Sequence, residues 1–209
     1  MSPEINLNPI QKYFSSKLES FGATPQGVDW NSEASQDLRF AQLTRILPED
    51  QPYSLIDYGS GFGSLYDLLK KQGHTLDYYG FDIVDGMVSE GQRLHANDPH
   101  CTFTTSENSL PIADYAIASG IFNIKLDTGF EDWTQYVLSI LQRMHALTRK
   151  GFSFNLLTRY SDVEHMRADL YYADPAFYFT HCKIHFARNV ALLHDYGLYD
   201  FTILVRKEL

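Results

Sequence analysis

The sequence predicts an α/β fold built on a doubly wound, mostly parallel seven-stranded sheet, with an antiparallel edge hairpin and an N-terminal helical cap. Three observations predict it. Short apolar runs alternate with helical patterns between residues 53 and 157. The first apolar run ends in a glycine-rich turn, Gly59-Ser60-Gly61-Phe62-Gly63. Further on, Val190-Ala191-Leu192-Leu193 and Phe201-Thr202-Ile203-Leu204-Val205 read as two strands joined by a turn containing Gly197, a pair that a mixed sheet accepts at its edge.

Each element follows in order. Tyr13, Phe14, Leu18 and Phe21 lie at helical spacing over Ile10 to Phe21, and Thr24-Pro25-Gln26-Gly27 is a turn. A second helix is predicted from about Ser32 to Leu47, capped by Asn31 or Ser32 and stopped by Pro48, with Leu38, Leu43, Ile46 and Leu47 near one face. Residues 1–50 are therefore a cap. Tyr53 to Tyr58 reads as a buried strand, and Leu65, Leu68 and Leu69 mark a helix ending near Gly73. Next come a strand from Leu76 to Ile83, a helix from Gly86 to Ala96, and short strands at Thr102–Thr105 and Ala113–Ser119. Glu131 to Thr148 is a long helix, and Phe152 to Leu157 a fifth strand, entered through Gly151 as the helix stop. Residues 51–158 make up the core. Tyr160 to Arg188 is rich in Tyr, Phe and His and too long for a plain loop, so residues 159–188 are expected to form a helical lid. Residues 189–209 complete the single domain as the strand pair.

Composition narrows the function. With 44% hydrophobic and 21% charged residues the chain is globular rather than disordered. Its 14 Tyr and 14 Phe suit a pocket that stacks against flat ligands. A net charge of −9, without a Lys/Arg run, disfavours nucleic acid as partner and favours a small molecule. Cys101 and Cys182 are too few for a disulfide framework and too far apart for a zinc knuckle. The first residues lack the features of a signal peptide, and no apolar run reaches membrane-spanning length. A cytoplasmic enzyme without a membrane partner is expected.

The glycine-rich turn carries the chemistry. Glycines let the backbone turn sharply and approach a ligand closely, and the following helix offers free N–H groups. Asp57 closes the first strand and Asp82 the second, 23 residues after Gly59, the interval expected of an acid that grips a ribose. Two ligands compete for such a site. A dinucleotide fingerprint is G-x-G-x-x-G, whereas here the pattern is G-x-G-x-G, with Ser64 where the third glycine belongs. An acid at Asp57 suits an ammonium-bearing ligand better than a pyrophosphate. A NAD-dependent oxidoreductase is therefore the weaker alternative.

The stretch from Asp57 to Gly63 resembles motif I of class I S-adenosylmethionine-dependent methyltransferases. Tyr79-Gly80-Phe81-Asp82-Ile83-Val84-Asp85-Gly86-Met87 resembles the family's second-strand motif. Ser106-Glu107-Asn108-Ser109-Leu110-Pro111 resembles the loop after its third strand, with Ser106 at the usual acidic position and Glu107 one residue late. Ser119-Gly120-Ile121-Phe122-Asn123 falls where the family's fourth-strand motif borders the methyl group. The resemblance covers about residues 50 to 160 and implies a Rossmann-like methyltransferase fold with S-adenosylmethionine as cofactor. It implies donor contacts from Asp57, Gly59, Ser60, Gly61, Gly63, Asp82, Ile83, Ser106, Glu107 and Ser119. A protein that binds the donor without catalysis is a further alternative.

The acceptor is less legible. The Asn/Asp-Pro-Pro-aromatic motif of amide and adenine N-methyltransferases and the Pro-Cys of cytosine enzymes are both absent. With the acidic charge, this points to O- or N-methylation of a small molecule. Arg39 is the candidate for the donor's carboxylate. Tyr13, Trp30, Phe122, Asn123, Tyr171 and Tyr172 are candidates for the acceptor pocket. His194 and Asp195 are the candidate base pair, ahead of His145, which sits inside a long helix. His181 and His185 have the i, i+4 spacing of metal ligands beside Cys182, but no third ligand is evident and no metal is expected.

Overall fold

Tyr53–Tyr58 (β1) is buried along nearly its whole length, as a central parallel strand covered on both faces must be. The computed structural model describes residues 5–30 and 32–207. Ahead of β1 stand two helices, Asn8–Phe21 (α1) and Glu33–Leu43 (α2). The Ser32 hydroxyl caps α2 by accepting from the Ser35 N–H at 3.2 Å; the other candidate cap, Asn31, lies outside the described residues. A 3₁₀ turn, Thr44–Ile46, ends the helix before Pro48.

The core then alternates: Ser64–Lys71 (α3), Leu76–Phe81 (β2), Asp85–Leu94 (α4), Cys101–Thr104 (β3), Ala113–Ala118 (β4), Phe130–Leu147 (α5) and Thr148–Thr158 (β5). Tyr172–Ala173 (β6), Pro175–His185 (α6), Asn189–Leu193 (β7) and Asp200–Arg206 (β8) follow. The main sheet has the order β3-β2-β1-β4-β5-β8-β7, and the two-residue β6 adds alongside β5. The strands from β3 to β5 pair in parallel, while β8 runs antiparallel to both β5 and β7. This is the expected seven-stranded sheet with its antiparallel hairpin. The order reverses between β1 and β4, so the crevice beyond their carboxyl ends is where such a sheet takes a ligand.

One face of the sheet packs on Trp133, Val137, Leu141 and Met144 of α5 and on Tyr178 and Cys182 of α6. The other packs on Phe40 and Leu43 of α2 and on Leu65 and Leu69 of α3.

Two local expectations change. Helix α5 passes into β5 with no glycine stop: Thr148 is the cap, its hydroxyl donating to the Met144 carbonyl at 2.9 Å. Gly151 lies inside β5 because a Cβ there would come within 2.3 Å of the Val205 carbonyl oxygen. The segment 159–188 also divides. Helix α6 packs against β7 and β8 as a layer of the fold, started by the Asp174 carboxylate, which accepts from the N–H groups of Ala176 and Phe177. Only the loop before β6 reaches the ligand end of the sheet. Burial of Tyr178 and Cys182 in the core holds the helix away from a lid position.

Gly151→Ala is accordingly expected to destabilise the protein by about 1–3 kcal/mol, because the added methyl meets backbone on the neighbouring strand. A denaturant midpoint lowered at unchanged slope is the measurement that checks it.

Candidate functional site

The glycine-rich turn between β1 and α3 opens onto a cavity of about 280 Å³. Its floor is Asp57, Tyr58, Gly59, Ser60 and Gly61 from the first strand and turn, with Phe81, Asp82 and Ile83 from the end of β2. Ser119, Gly120 and Asn123 follow from the end of β4. The cap closes the cavity from above through Ile10 and Phe14 of α1, Trp30, and Gln36 and Arg39 of α2. The Gln11 amide of α1 donates to the Ile83 carbonyl at 2.8 Å, latching the cap to the β2 end.

Two carboxylates face this space in different electrostatic states. Asp82 is tied to the backbone: Oδ2 accepts from the Gly61 N–H and Oδ1 from the Val84 N–H, each at 2.9 Å. Each oxygen keeps further acceptor capacity. Burial raises the Asp82 pKa, against the pull of these backbone donors. Asp57 is 3% exposed. Its Oδ2 accepts one hydrogen bond, from the Tyr78 hydroxyl at 2.7 Å. Burial pushes its pKa up to about 7, opposed by that hydrogen bond and assisted by the nearby Asp82 charge. Ser119 Oγ is also buried, without a hydrogen-bond partner among the described residues. An under-served carboxylate and an orphaned hydroxyl, beside backbone brought close by glycine, fit a polar ligand that carries a positive charge.

A third carboxylate closes the wall from behind. Asp200 of β8 is 1% exposed. Its Oδ2 accepts from Arg39 Nη2 at 2.5 Å and from Nε at 3.1 Å. Its Oδ1 accepts from the Asn155 amide at 3.0 Å, and Asn155 Oδ1 accepts from the Gly120 N–H at 2.7 Å. The Arg39 guanidinium lies 4.4 Å from the Trp30 ring centroid. Trp30 in turn sits on Gly120, where a Cβ would fall 2.4 Å from its Cη2. Gly120, Asn155, Asp200, Arg39 and Trp30 thus form a closed ring around one end of the cavity. Arg39 also donates from Nη1 to the Ser35 carbonyl at 2.9 Å, leaving one N–H on each terminal nitrogen for a ligand.

The candidate residues separate on this geometry. Asp57, Gly59, Ser60, Gly61, Asp82, Ile83, Ser119, Arg39, Trp30 and Asn123 all meet in the cavity wall. Gly63 stands outside it: the space where its Cβ would lie is filled by Phe103 and His95, so packing accounts for the third glycine. The Ser106 main chain is held by its neighbours: its N–H donates to the Thr104 hydroxyl and its carbonyl accepts from the Ser109 hydroxyl, and Ser106 does not line the cavity. Glu107 accepts from the Tyr58 hydroxyl and lies 3.5 Å from Arg143, behind the wall rather than in it. Phe122 is fully buried. Tyr171 bonds to Thr134 and Tyr178 in the core. The Tyr172 hydroxyl accepts from the Arg167 N–H at the rim. Tyr13 donates to Asp29, which also pairs with Lys17 at 2.7 Å. His194 packs between Tyr160 and Phe201, and neither it nor Asp195 lines the cavity. The His181 and His185 rings lie tilted against each other with centroids 4.4 Å apart, while Cys182 is buried in the core. Among the described residues no group of three or more His, Cys, Asp or Glu is placed to hold a metal ion.

Several wall residues went unforeseen. Gln36 is 5% exposed and makes no side-chain hydrogen bond among the described residues. Arg167 and Leu170 come from the loop before β6. The polar residues Asn155 and Asp200, set among apolar neighbours in strands, were the one available signal for the ring. Among the described residues no helix is long and apolar enough to cross a membrane.

Comparison with known proteins agrees with the geometry. Residues 30–203 match the family model described as "Methyltransferase domain". The chain is 44% identical over 163 residues to "Putative methyltransferase Rv1506c" of Mycobacterium tuberculosis, covering 78% of this chain and 98% of that protein. In fold it is similar to magnesium protoporphyrin IX methyltransferase from Synechocystis PCC 6803, solved with bound S-adenosylmethionine. There the TM-score is 0.65 at 16% identity, with both chains wholly covered. It is also similar to the Burkholderia thailandensis 1,6-didemethyltoxoflavin-N1-methyltransferase, solved with its substrate and S-adenosylhomocysteine. The TM-score is again 0.65, at 19% identity, covering 100% of this chain and 93% of that one.

Two outcomes follow from the carboxylates. Because folding raises the Asp57 pKa from 3.8 to about 7, its contribution to stability is full below the unfolded value and lost as pH rises through 7. Asp57→Asn, which keeps an acceptor for Tyr78, is expected to gain on the unmodified protein by about 2–4 kcal/mol between roughly pH 4 and pH 8. Denaturant titrations at the two pH values check this. Asp200→Ala removes the carboxylate that holds the part-buried Arg39 guanidinium and is expected to cost about 1.5–3 kcal/mol. Arg39→Met combined with Asp200→Leu, which removes both charges, is expected to recover most of that loss in thermal unfolding.

Proposed function

The chain belongs to the methyltransferase-domain family, the class I S-adenosylmethionine-dependent enzymes, and on that premise we propose that it methylates a nitrogen or oxygen of a small-molecule acceptor. The observation that carries the reading is the convergence of Asp57, Asp82 and the glycine-rich turn on the same cavity as the apolar side chains of Ile124, Leu157 and Leu170. Donor groups and an apolar wall thereby share one cleft. Its largely apolar lining suits a small organic molecule, and the chain's net charge of −9 disfavours a polyanion.

Bound S-adenosylmethionine supplies an electrophilic methyl group on a sulfonium. The chain's own residues supply position and charge. Asp82, already oriented by the N–H groups of Gly61 and Val84, offers its free lone pairs to the ribose hydroxyls. Asp57 offers a carboxylate to the ammonium group, and the two remaining Arg39 N–H groups suit the carboxylate. Transfer of a methyl group needs in-line alignment and an acceptor lone pair more than it needs acid–base machinery. The wall fits that demand: among the described residues it contains no imidazole, and burial pushes the Tyr136 phenol up to about 12, keeping it protonated. An acceptor that is already nucleophilic, such as a ring nitrogen, an amine or an ionised hydroxyl, suits such a site. Asn123 keeps its amide N–H groups for that acceptor, since its Oδ1 is used by the Leu157 N–H at 3.2 Å. Arg167 and Asp29 contribute charge at the rim.

Calorimetric titration tests the donor. S-adenosylhomocysteine is expected to bind with a dissociation constant of roughly 1–100 μM, and NAD to give no heat of binding. Asp82→Ala is expected to weaken the homocysteine ligand by at least about tenfold. Binding of NAD alone would overturn the reading.

A further inference from the structure

Asp57 is held by a residue outside the glycine-rich turn. Tyr78 lies on β2, directly opposite Leu55 in the β1–β2 register, and is fully buried. Its hydroxyl reaches the end of β1 and donates to Asp57 Oδ2 at 2.7 Å. The tyrosine ring is fixed by Tyr66 of α3, with centroids 4.9 Å apart, and by Phe103 of β3 at 5.6 Å. Asp57 Oδ1 has no hydrogen-bond partner among the described residues, and the residue forms part of the cavity wall. The carboxylate is thus pinned by one oxygen from behind, with the other left for a ligand.

We propose that Tyr78 is a positioning residue for donor binding, whose buried hydroxyl aims Asp57 and favours its ionised form toward the ligand's ammonium group. This rests on the reading that the cavity takes S-adenosylmethionine. A neutral donor is the suitable partner for the task. An Arg or Lys at this place would neutralise Asp57 and compete with a cationic ligand, whereas an apolar residue would leave the carboxylate protonated around neutral pH. The hydroxyl stabilises the charge while leaving it unpaired. Tyr78 remains a donor throughout the working range, because burial and the Asp57 charge raise its own pKa well above the ordinary phenol value.

The surrounding groups leave this pair in control. Asp82 faces Asp57 from the end of β2 and disfavours a second negative charge. Behind Tyr78, the Tyr66 hydroxyl is engaged by Asp98. The Cys101 thiol is pushed up to about 12 by burial, with Asp98, Asp67 and Asp57 adding to the shift, so it stays neutral. Asp67 of α3 stands next to His95 rather than Asp57.

The test is the pH dependence of binding for two ligands that differ only at the amino-acid end. S-adenosylhomocysteine carries the ammonium; methylthioadenosine keeps the nucleoside and thioether and lacks the amino acid. With the unmodified protein, affinity for S-adenosylhomocysteine is expected to fall as pH drops below about 7, the Asp57 midpoint, while methylthioadenosine binding stays flat. Tyr78→Phe is expected to weaken S-adenosylhomocysteine by about tenfold near neutral pH and to move the midpoint up by about one pH unit, leaving methylthioadenosine unchanged. Asp57→Asn is expected to make binding of S-adenosylhomocysteine weak and pH-independent, and it tests the same link should the phenylalanine variant fold poorly. The proposal is overturned if the Tyr78→Phe curves superpose on those of the unmodified protein. It is overturned equally if both ligands weaken to the same extent, which marks a structural role. If the unmodified protein binds neither ligand, the donor reading itself fails; binding of both with an unmoved midpoint removes only the role of Tyr78.

Discussion

The ion pair between the part-buried Arg39 and the buried Asp200 is the constraint on which the shape of the cavity depends. Taking a carboxylate and a guanidinium out of water is expensive, and their attraction offsets that cost only when the remaining hydrogen-bonding groups are satisfied as well. Here most are: Asn155 serves the second Asp200 oxygen and the Ser35 carbonyl takes one Arg39 N–H, Trp30 covers the guanidinium face, and one N–H on each terminal nitrogen keeps no partner among the described residues. The pair joins a helix that precedes the first strand to the last strand of the sheet, 161 positions later in the chain. The cap and the strand hairpin therefore depend on each other, and the cavity needs both. The same chain of bonds continues through Asn155 to the Gly120 N–H, so the loop after β4 is set by groups that never touch the glycine-rich turn.

Asp200 and Asp57 show how one residue type serves opposite purposes a short distance apart. Asp200 is saturated: a cation, an amide donor and complete burial leave it nothing to offer a ligand. Asp57 is nearly as buried and receives one neutral donor. The first arrangement lowers the energy of the empty protein; the second raises it and leaves a deficit that a positively charged ligand removes. A site that discriminates for a cation on an otherwise acidic protein needs such a deficit at a defined point, because overall charge attracts cations without selecting among them.

The sheet was legible because it is written in short-range patterns. Apolar runs mark the strands, and the glycine-rich turn and the acids Asp57 and Asp82 are local features at the carboxyl ends of β1 and β2. What was not legible rests on contacts between distant segments. Gly151 looks like a helix stop until β8 is seen beside it. The segment 159–188 looks like a lid because its aromatics do not disclose that Tyr178 and Cys182 face the sheet. Glu107 has the right charge for a ligand contact, but the Tyr58 hydroxyl engages it behind the wall. His194 and Asp195 follow a strand, yet that strand is β7 at the far edge, several strands from the β1–β4 crevice. In Asn155 within β5 and Asp200 at the start of β8, two polar residues beside apolar runs, the sequence held a trace of the ring without naming its partners.

This division has a physical origin in how the two halves of the cavity are built. One half sits on the carboxyl ends of β1, β2 and β4, where parallel pairing fixes the backbone and side-chain chemistry need only be added at the tips. Residue type and spacing are then nearly sufficient to predict its place in the fold. The other half is assembled from α2, the loop after β4 and the loop before β6, which meet only after the chain has folded. Its groups, Gln36, Asn123 and Arg167, are common surface residues whose meaning comes from being brought together. A fold that builds one half of a cavity on strand ends and the other on loops can alter the second by changing loops and cap while the first stays in place. This second half of the cavity is accordingly encoded in the three-dimensional meeting of those segments, with Arg39 and Asp200 holding the cap against the sheet so that they meet at all.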